Sequence, residues 1–437
     1  MHPMPEQALP SLARKAGGAD GDDRWGAFLP GPRAERAPTA EGPLSGLRFA
    51  VQDLVDLQDA RTGAGNPGWL DTSRTAARDA AVVAALRAAG AAVAGKTVTD
   101  ELGFSLEGVN PHYGAPVNPR DEGALCGGSA SGAAAATAAG LVEFALGVDT
   151  GGSVRIPAAL CGLWAFRPTH GRLPLDGILP FAPSMDAPAW MAADPRVLRA
   201  VGDVLLPADA PVDGPGADAG ADSGAVFGAD AGADTGAGAT PRGPGTGITD
   251  IRLAEDAAAL CDADCAADLQ ARCGGWITGA PVAAFPGTWK DHLRLYAYAQ
   301  AQDLCDGLGK EVERRGPALG EASAQRLAAA MAVERSVAEA WNAFRRAATR
   351  WLLLMTPPGR ALLLPTAPMA RLPRDVQRPQ LEAFYSGALP LSAIAGAAGA
   401  PQVQMPLAAG GVSLIGRPGQ DRALLDAAMR LAGVDAG

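Results

Sequence analysis

Lysine is scarce in this chain. Only Lys15, Lys96, Lys290 and Lys310 occur among 437 residues, so any chemistry that needs an uncharged amine has few candidates. Basic patches are missing too. The formal net charge is −10, which argues against nucleic acid or an anionic membrane surface as partner. No apolar run is long enough to cross a bilayer, and the opening MHPMPEQALPSLARKAGG has no apolar core of the signal-peptide kind. The expected location is cytoplasmic. The cysteines (Cys126, Cys161, Cys261, Cys265, Cys273, Cys305) form no regular framework and read as free thiols. Cys261, Cys265 and Cys273 cluster, but match no zinc spacing and have no histidine near them in sequence. No motif for a metal, nucleotide or flavin is present, so no cofactor is expected, and no segment specifies an oligomeric state.

Glycine, by contrast, is concentrated where it matters. Residues 127–157 read GGSASGAAAATAAGLVEFALGVDTGGSVRIP. Two Gly-Gly-Ser turns, centred on Ser129 and Ser153, bracket an Ala-rich helix and a short apolar strand. Paired glycines permit positive φ and close approach of a backbone or substrate. A serine after such a pair sits on a tight turn with amide N–H groups fanned around it, the setting for a nucleophile with an oxyanion hole. Either turn alone reads as ordinary loop chemistry in an α/β protein. Together, with Asp149 and Arg155 flanking the second, they read as a site.

The surrounding pattern is α/β. Leu47–Val51 is a strand ending at Gln52-Asp53, and residues 78–89 have helical spacing that stops at Gly90. Ala91–Ala94 is the next strand, with Lys96 just beyond it. This order predicts a βαβ unit with a parallel pair. Ser131 is placed to cap a helix over 132–139, and Leu141–Leu146 is the strand leading to Asp149. Residues 161–186 read as loop and short strands packed around a site. Further strands are expected at 251–254, 362–364 and 412–415, and helices at about 258–272, 289–313, 321–354 and 420–431. Residues 207–248 are almost wholly Gly, Ala, Asp and Pro and read as a disordered insertion in one domain. The expected organisation is an extended arm over 1–24 and a single domain over 25–437.

The chain resembles the amidase signature family. The carrying segments are GGSASG at 127–132, DTGGSVRIP at 149–157, CGLWAFRPTHGR at 161–172 and LPTAP at 364–368. AVQDLVDL at 50–57, GAGNPGW at 63–69 and GKTVTDEL at 95–102 extend it. GNPGW, EGVNPHYGAPVNP and FRPTHGR are most similar to the short indole-3-acetamide-type amidases. The resemblance implies one α/β domain, a mixed β-sheet surrounded by helices, and hydrolysis of a small carboxylic amide. Ser153 would be the nucleophile, with Thr150, Gly151, Gly152 and Ser153 giving N–H groups to the oxyanion. Ser129 would be the bridging serine, carried in the family on a cis peptide. Asp149 and Arg155 would fix the nucleophile turn, with Ser131 as further support.

The family's triad is completed by a lysine in Ala-Val-Lys-Asp. Here those positions read Ala50-Val51-Gln52-Asp53. A glutamine amide can hydrogen-bond but cannot take up a proton near neutral pH. Losing a general base lowers a rate by on the order of 10² to 10⁴. Lys96 stands where the family has a lysine besides the catalytic one, which implies structural support. Asp53 should face away from Gln52 on the strand. His170 occupies a variable slot, and no base role is assigned to it. Cys126, Ala130 and Ala187-Pro188-Ala189 are smaller departures from the family pattern. Three readings follow: an amidase with impaired turnover, an inactive pseudo-amidase used for binding or protein contact, or a Lys-to-Gln variant made to trap a complex. The family offers a precedent for the second in a plastid import receptor whose amidase-like domain looks inactive.

Overall fold

A computed structural model describes residues 23–209, 247–285, 287–333 and 338–434. The arm over 1–24 and the 207–248 insertion therefore fall largely outside the described residues. From Asp23 onward the chain lies against the sheet: Phe28 bridges Thr97 and Arg36 bridges Val93.

Nine strands form one mixed sheet in the order β2-β1-β3-β5-β4-β8-β9-β7-β6. They are β1 (Arg48–Gln52), β2 (Ala92–Thr97), β3 (Phe144–Asp149), β4 (Trp164–Arg167), β5 (Ala187–Ala192), β6 (Asp250–Leu253), β7 (Arg360–Pro365), β8 (Gln402–Pro406) and β9 (Gly411–Ile415). β1 runs parallel to β2 and to β3, as the βαβ reading predicts. β5, β4, β8, β9 and β7 then pair antiparallel, and β6 closes the order parallel to β7. β3 is buried along its whole length. A strand covered on both faces has no need of polar alternation, so its FALGVD sequence is nearly continuous in apolar and small residues.

The Ala-rich helix Ser131–Ala138 packs on β1 and β3, and every residue from Ser131 to Thr137 is buried. Alanine suits this position: it keeps helix propensity while letting backbone approach backbone. The helix Arg378–Ala398 is buried at Gly387 and Ala388 and continuously from Pro390 to Ala398. Because it is covered on every side there, 389–400 shows no helical periodicity in the sequence.

Several expectations shift. β2 extends to Thr97, so Lys96 lies inside the strand. The strand before the second turn is Phe144–Asp149, three residues later than Leu141–Leu146, which places Asp149 on the strand itself. Residues 289–313 are the helix Trp289–Leu304, a π-helical turn at Cys305–Gly309 and the helix Lys310–Arg315. Residues 321–354 divide into helices Glu321–Met331 and Ala338–Met355. Among the described residues no helix is long and apolar enough to cross a membrane.

Candidate active site

The site lies at the carboxyl ends of the parallel strands, where open α/β sheets present ligand crevices. Gln52 is the last residue of β1 and Asp149 the last of β3. The two serine turns follow from there. Ser153 comes directly after β3, and Ser129 immediately precedes the helix that packs on it. The Gly128–Ser129 peptide is cis. The turns are joined directly, since the Ala130 N–H donates to the Ser153 carbonyl at 3.0 Å. Ser129, Ser153 and Thr150 are all buried, with Ser153 keeping 6% of its surface.

Gln52 is fully buried and reaches the first turn. Its Nε2 donates to Ser129 Oγ at 3.0 Å and to Thr99 Oγ1 at 2.8 Å. Its Oε1 accepts from the Val148 N–H at 2.8 Å. The glutamine thus sits where the resemblance places a base, in contact with Ser129. Asp53 points the other way, as expected from strand alternation. It accepts from Lys96 Nζ at 3.0 Å and from the Gly63 N–H at 3.1 Å. Lys96 also donates to Thr62 Oγ1 and the Arg61 carbonyl, so its ammonium is committed to that side. His170 Nε2 donates to the Pro183 carbonyl at 2.9 Å. Burial depresses its pKa to about 4, so it is neutral near pH 7, but it makes no described contact with either serine.

Asp149 organises the second turn. Its carboxylate accepts from the N–H groups of Gly152, Val154 and Arg155 at 3.1 Å each. It also binds Arg155 through Nε at 3.0 Å and through NH2 at 2.7 Å. Arg167 adds a contact at 3.3 Å and also donates to the Asp149 carbonyl. Burial alone would raise this carboxyl, but the Arg155 and Arg167 guanidiniums and the turn's N–H groups hold it well below the ordinary range. One consequence refines the oxyanion reading. The Gly152 N–H is spent on Asp149, whereas those of Thr150, Gly151 and Ser153 take no protein acceptor among the described residues.

Glycine is needed at 152 for two independent reasons. Its φ is +102°, and a Cβ there would collide with Ser392 Oγ and lie 3.0 Å from Ile156 Cγ1. Gly152→Ala should lower stability by on the order of 1–3 kcal/mol. An unchanged urea midpoint would show that the turn relaxes freely.

Ser131 does not cap its helix. The N-cap is Ala130, Ser131 is the first helical residue, and its buried Oγ has no hydrogen-bond partner.

Three functional neighbours escape sequence reasoning. Asp186 accepts from Thr150 Oγ1 at 2.5 Å and from the N–H groups of Phe181 and Ala182, bracing the start of the turn. Tyr296 Oη donates to the Thr150 carbonyl at 3.1 Å from a helix far along the chain. Asp100, wholly buried, accepts from Ser105 and from the Gly108 N–H, while its Oδ1 has no partner. Only THGR and PSMD in the family-like 161–186 stretch hinted that residues beyond the two turns take part.

Burial, and then the nearby Glu107, raise the Asp100 carboxyl well above the ordinary value. A raised carboxyl binds its proton more tightly folded than unfolded. Its contribution is therefore largest at low pH and falls as pH climbs above the unfolded value of about 3.9 toward the folded one. Asp100→Asn should remove that decline. Thermal midpoints at pH 5 and pH 8 should differ less in the variant than in the parent, and an equal difference would contradict the assignment.

An α/β sheet that presents paired Gly-Gly-Ser turns at its carboxyl edge, one beginning with a cis peptide, defines an amidase-signature scaffold. The family model described as Amidase matches residues 32–213, the part of the chain that carries both serine turns. Amidase 1 of Oryza sativa subsp. japonica is 46% identical over 192 residues, 44% of this chain and 44% of that protein. The translocon at the outer membrane of chloroplasts 64 of Pisum sativum is 45% identical over 203 residues, 45% of this chain and 34% of that one. The matched stretch is thus less than half the length of these relatives. Among solved structures, a vestigial protein complex described as revealing the evolutionary origins of an s-triazine catabolic enzyme aligns with a TM-score of 0.73 at 25% identity, covering 90% of this chain and 86% of the other.

Proposed function

We propose that this chain is an amidohydrolase scaffold for a small carboxylic amide, working through an acyl-Ser153 intermediate, with turnover impaired by Gln52. The observation that carries the reading is the contact between Gln52 and Ser129 beside an otherwise complete nucleophile turn. Ser153 follows a Gly-Gly pair, is tied to Ser129 through Ala130, and has free N–H groups around it. In the productive sequence Ser153 Oγ attacks the amide carbonyl and its proton passes to Ser129. The tetrahedral oxyanion is met by the N–H groups of residues 150, 151 and 153, the proton taken by way of Ser129 is returned to the amide nitrogen as the C–N bond breaks, and amine departure leaves the acyl ester for water to cleave. The step that lacks support is the first proton transfer, since Gln52 offers Ser129 an N–H rather than a lone pair.

That same feature favours a second reading, a pseudo-amidase that holds a ligand or contacts a protein without turning it over. Ammonia release from aryl and alkyl amides, compared between this chain and Gln52→Lys, separates the two. Activity gained by the lysine supports the amidohydrolase scaffold. Inertness of both proteins supports the binding role.

A further inference from the structure

The orientation of Gln52 fixes the direction of the hydrogen bonds around it. The buried Val148 N–H donates to Oε1 at 2.8 Å, so flipping the amide would set N–H against N–H. Both Nε2 protons therefore go outward, one to Thr99 Oγ1 and one to Ser129 Oγ. Thr99 spends its own hydroxyl proton on the Ser129 carbonyl at 3.0 Å, which leaves its oxygen as an acceptor. Ser129 Oγ is likewise an acceptor from Gln52, and its one proton finds no protein acceptor among the described residues. The relay runs backwards from the direction a base would impose: Ser129 accepts from residue 52 and keeps its own proton to donate.

The rest of the crevice agrees in sign. The N–H groups of Thr150, Gly151 and Ser153 are also unpaired donors, and the Asp149 and Asp186 carboxylates are saturated from behind. Next to Ser129, on the side of Gly103, lie the apolar side chains of Leu54 and Phe181. A Cβ at Gly103 would lie 3.3 Å from Leu54 Cδ1, 3.8 Å from Phe181 Cδ2 and 3.8 Å from Ser129 Oγ. Phe104 meets Phe181 edge-on at 5.3 Å.

We propose that the site, with glutamine at 52, is a receptor for a small carboxylate anion bearing an apolar group, held by the Ser129 hydroxyl and the free turn N–H groups in preference to the matching amide. A carboxylate accepts only, and each of those donors satisfies it. A primary amide brings two N–H protons, for which the Ser153 hydroxyl is the one acceptor beside these donors, so it is matched less fully than a carboxylate. The inference rests on the reading of this crevice as the acyl site of an amidase scaffold.

The experiment is calorimetric titration of the full chain with benzoate, hexanoate, acetate and the three corresponding amides at pH 7. Benzoate and hexanoate should bind about tenfold more tightly than their amides, the difference expected of a charge-assisted hydrogen bond, and acetate more weakly than either. Ser129→Ala should lose most of that preference. Gln52→Glu, which turns an acceptor toward Ser129, should abolish it. Equal or tighter binding of the amides, or no binding of any acid, overturns the proposal. So does a preference that survives both substitutions. The outcome is separable from the hydrolase reading. If Gln52→Lys releases ammonia while the parent favours amides, only the carboxylate inference falls. If Gln52→Lys is inert while the parent favours acids, the inference stands and the hydrolase reading falls.

Discussion

Gln52→Lys should raise ammonia release by on the order of 10² to 10⁴ over the parent chain, the range a positioned general base supplies. The position is prepared for it. Residue 52 is fully buried and already touches Ser129. Burial disfavours an ammonium, so a lysine there tends toward the neutral amine that can accept a proton. The neighbouring lysine does not compete, because Lys96 is tied to Asp53 on the other side of the strand. Room exists as well. Gly147 has no side chain, and a Cβ there would stand 2.8 Å from the Gln52 oxygen that a lysine would vacate.

The same substitution carries a penalty. The Val148 N–H loses its acceptor, and an unpaired buried donor costs about 1–3 kcal/mol. The variant should therefore be somewhat less stable and much more active, an opposition that general stabilisation of the fold could not produce. Adding Ser153→Ala should return ammonia release to background with little further change in stability. Activity that persists without Ser153 would place the chemistry elsewhere. Absence of any gain from the lysine would mean that Gln52 is not the missing function.

The elements that carry the site were legible because they are local. The turns at Ser129 and Ser153, the strand ending at Gln52 and the alternation that separates Gln52 from Asp53 all follow from short stretches of sequence. What escaped is what depends on distant partners or on burial from every side. β5 carries Pro188 and reads as a broken segment, yet it pairs antiparallel with β3 along its length, Pro188 opposite Val148. β8 reads as polar, because Gln402 and Gln404 are buried in hydrogen bonds to Arg155 and Thr366 that no local pattern encodes. The helix Arg378–Ala398 contains Pro390, and from there to its end it has no exposed residue. Ser131 misled for the opposite reason: its identity fits an N-cap, but the backbone enters the helix one residue earlier. Asp186 and Tyr296 reach the turn from 36 and 146 residues away.

Those long-range contacts bear on the other large expected effect. Asp149→Asn should destabilise the protein by about 3–5 kcal/mol, the range for removing one partner of a buried ion pair. Asparagine keeps the shape and not the charge. Arg155 and Arg167, 1% and 0% exposed, would then be two buried guanidiniums without a counter-ion between them. The change also weakens the acceptor for the N–H groups of Gly152, Val154 and Arg155 in the second serine turn. A domain's whole stability is about 5–15 kcal/mol, so urea denaturation at pH 7 would register the loss clearly. The pH dependence identifies the cause. Because the carboxyl is held below the ordinary range, its stabilisation is complete above the unfolded value of about 3.9 and is lost as pH falls toward the folded one. The gap between parent and variant should be constant from pH 7 to pH 5 and shrink below pH 4. A loss under about 1 kcal/mol, far below the range for a broken buried pair, would remove Asp149 as the keystone of the turn. A gap that stays constant down to pH 3 would assign the loss to packing rather than charge. In the Gln52→Lys background, Asp149→Asn should depress ammonia release even in the fraction that remains folded. The N–H of Gly152 would no longer be held inward, and the free donors at 150, 151 and 153 would lose the frame that aims them.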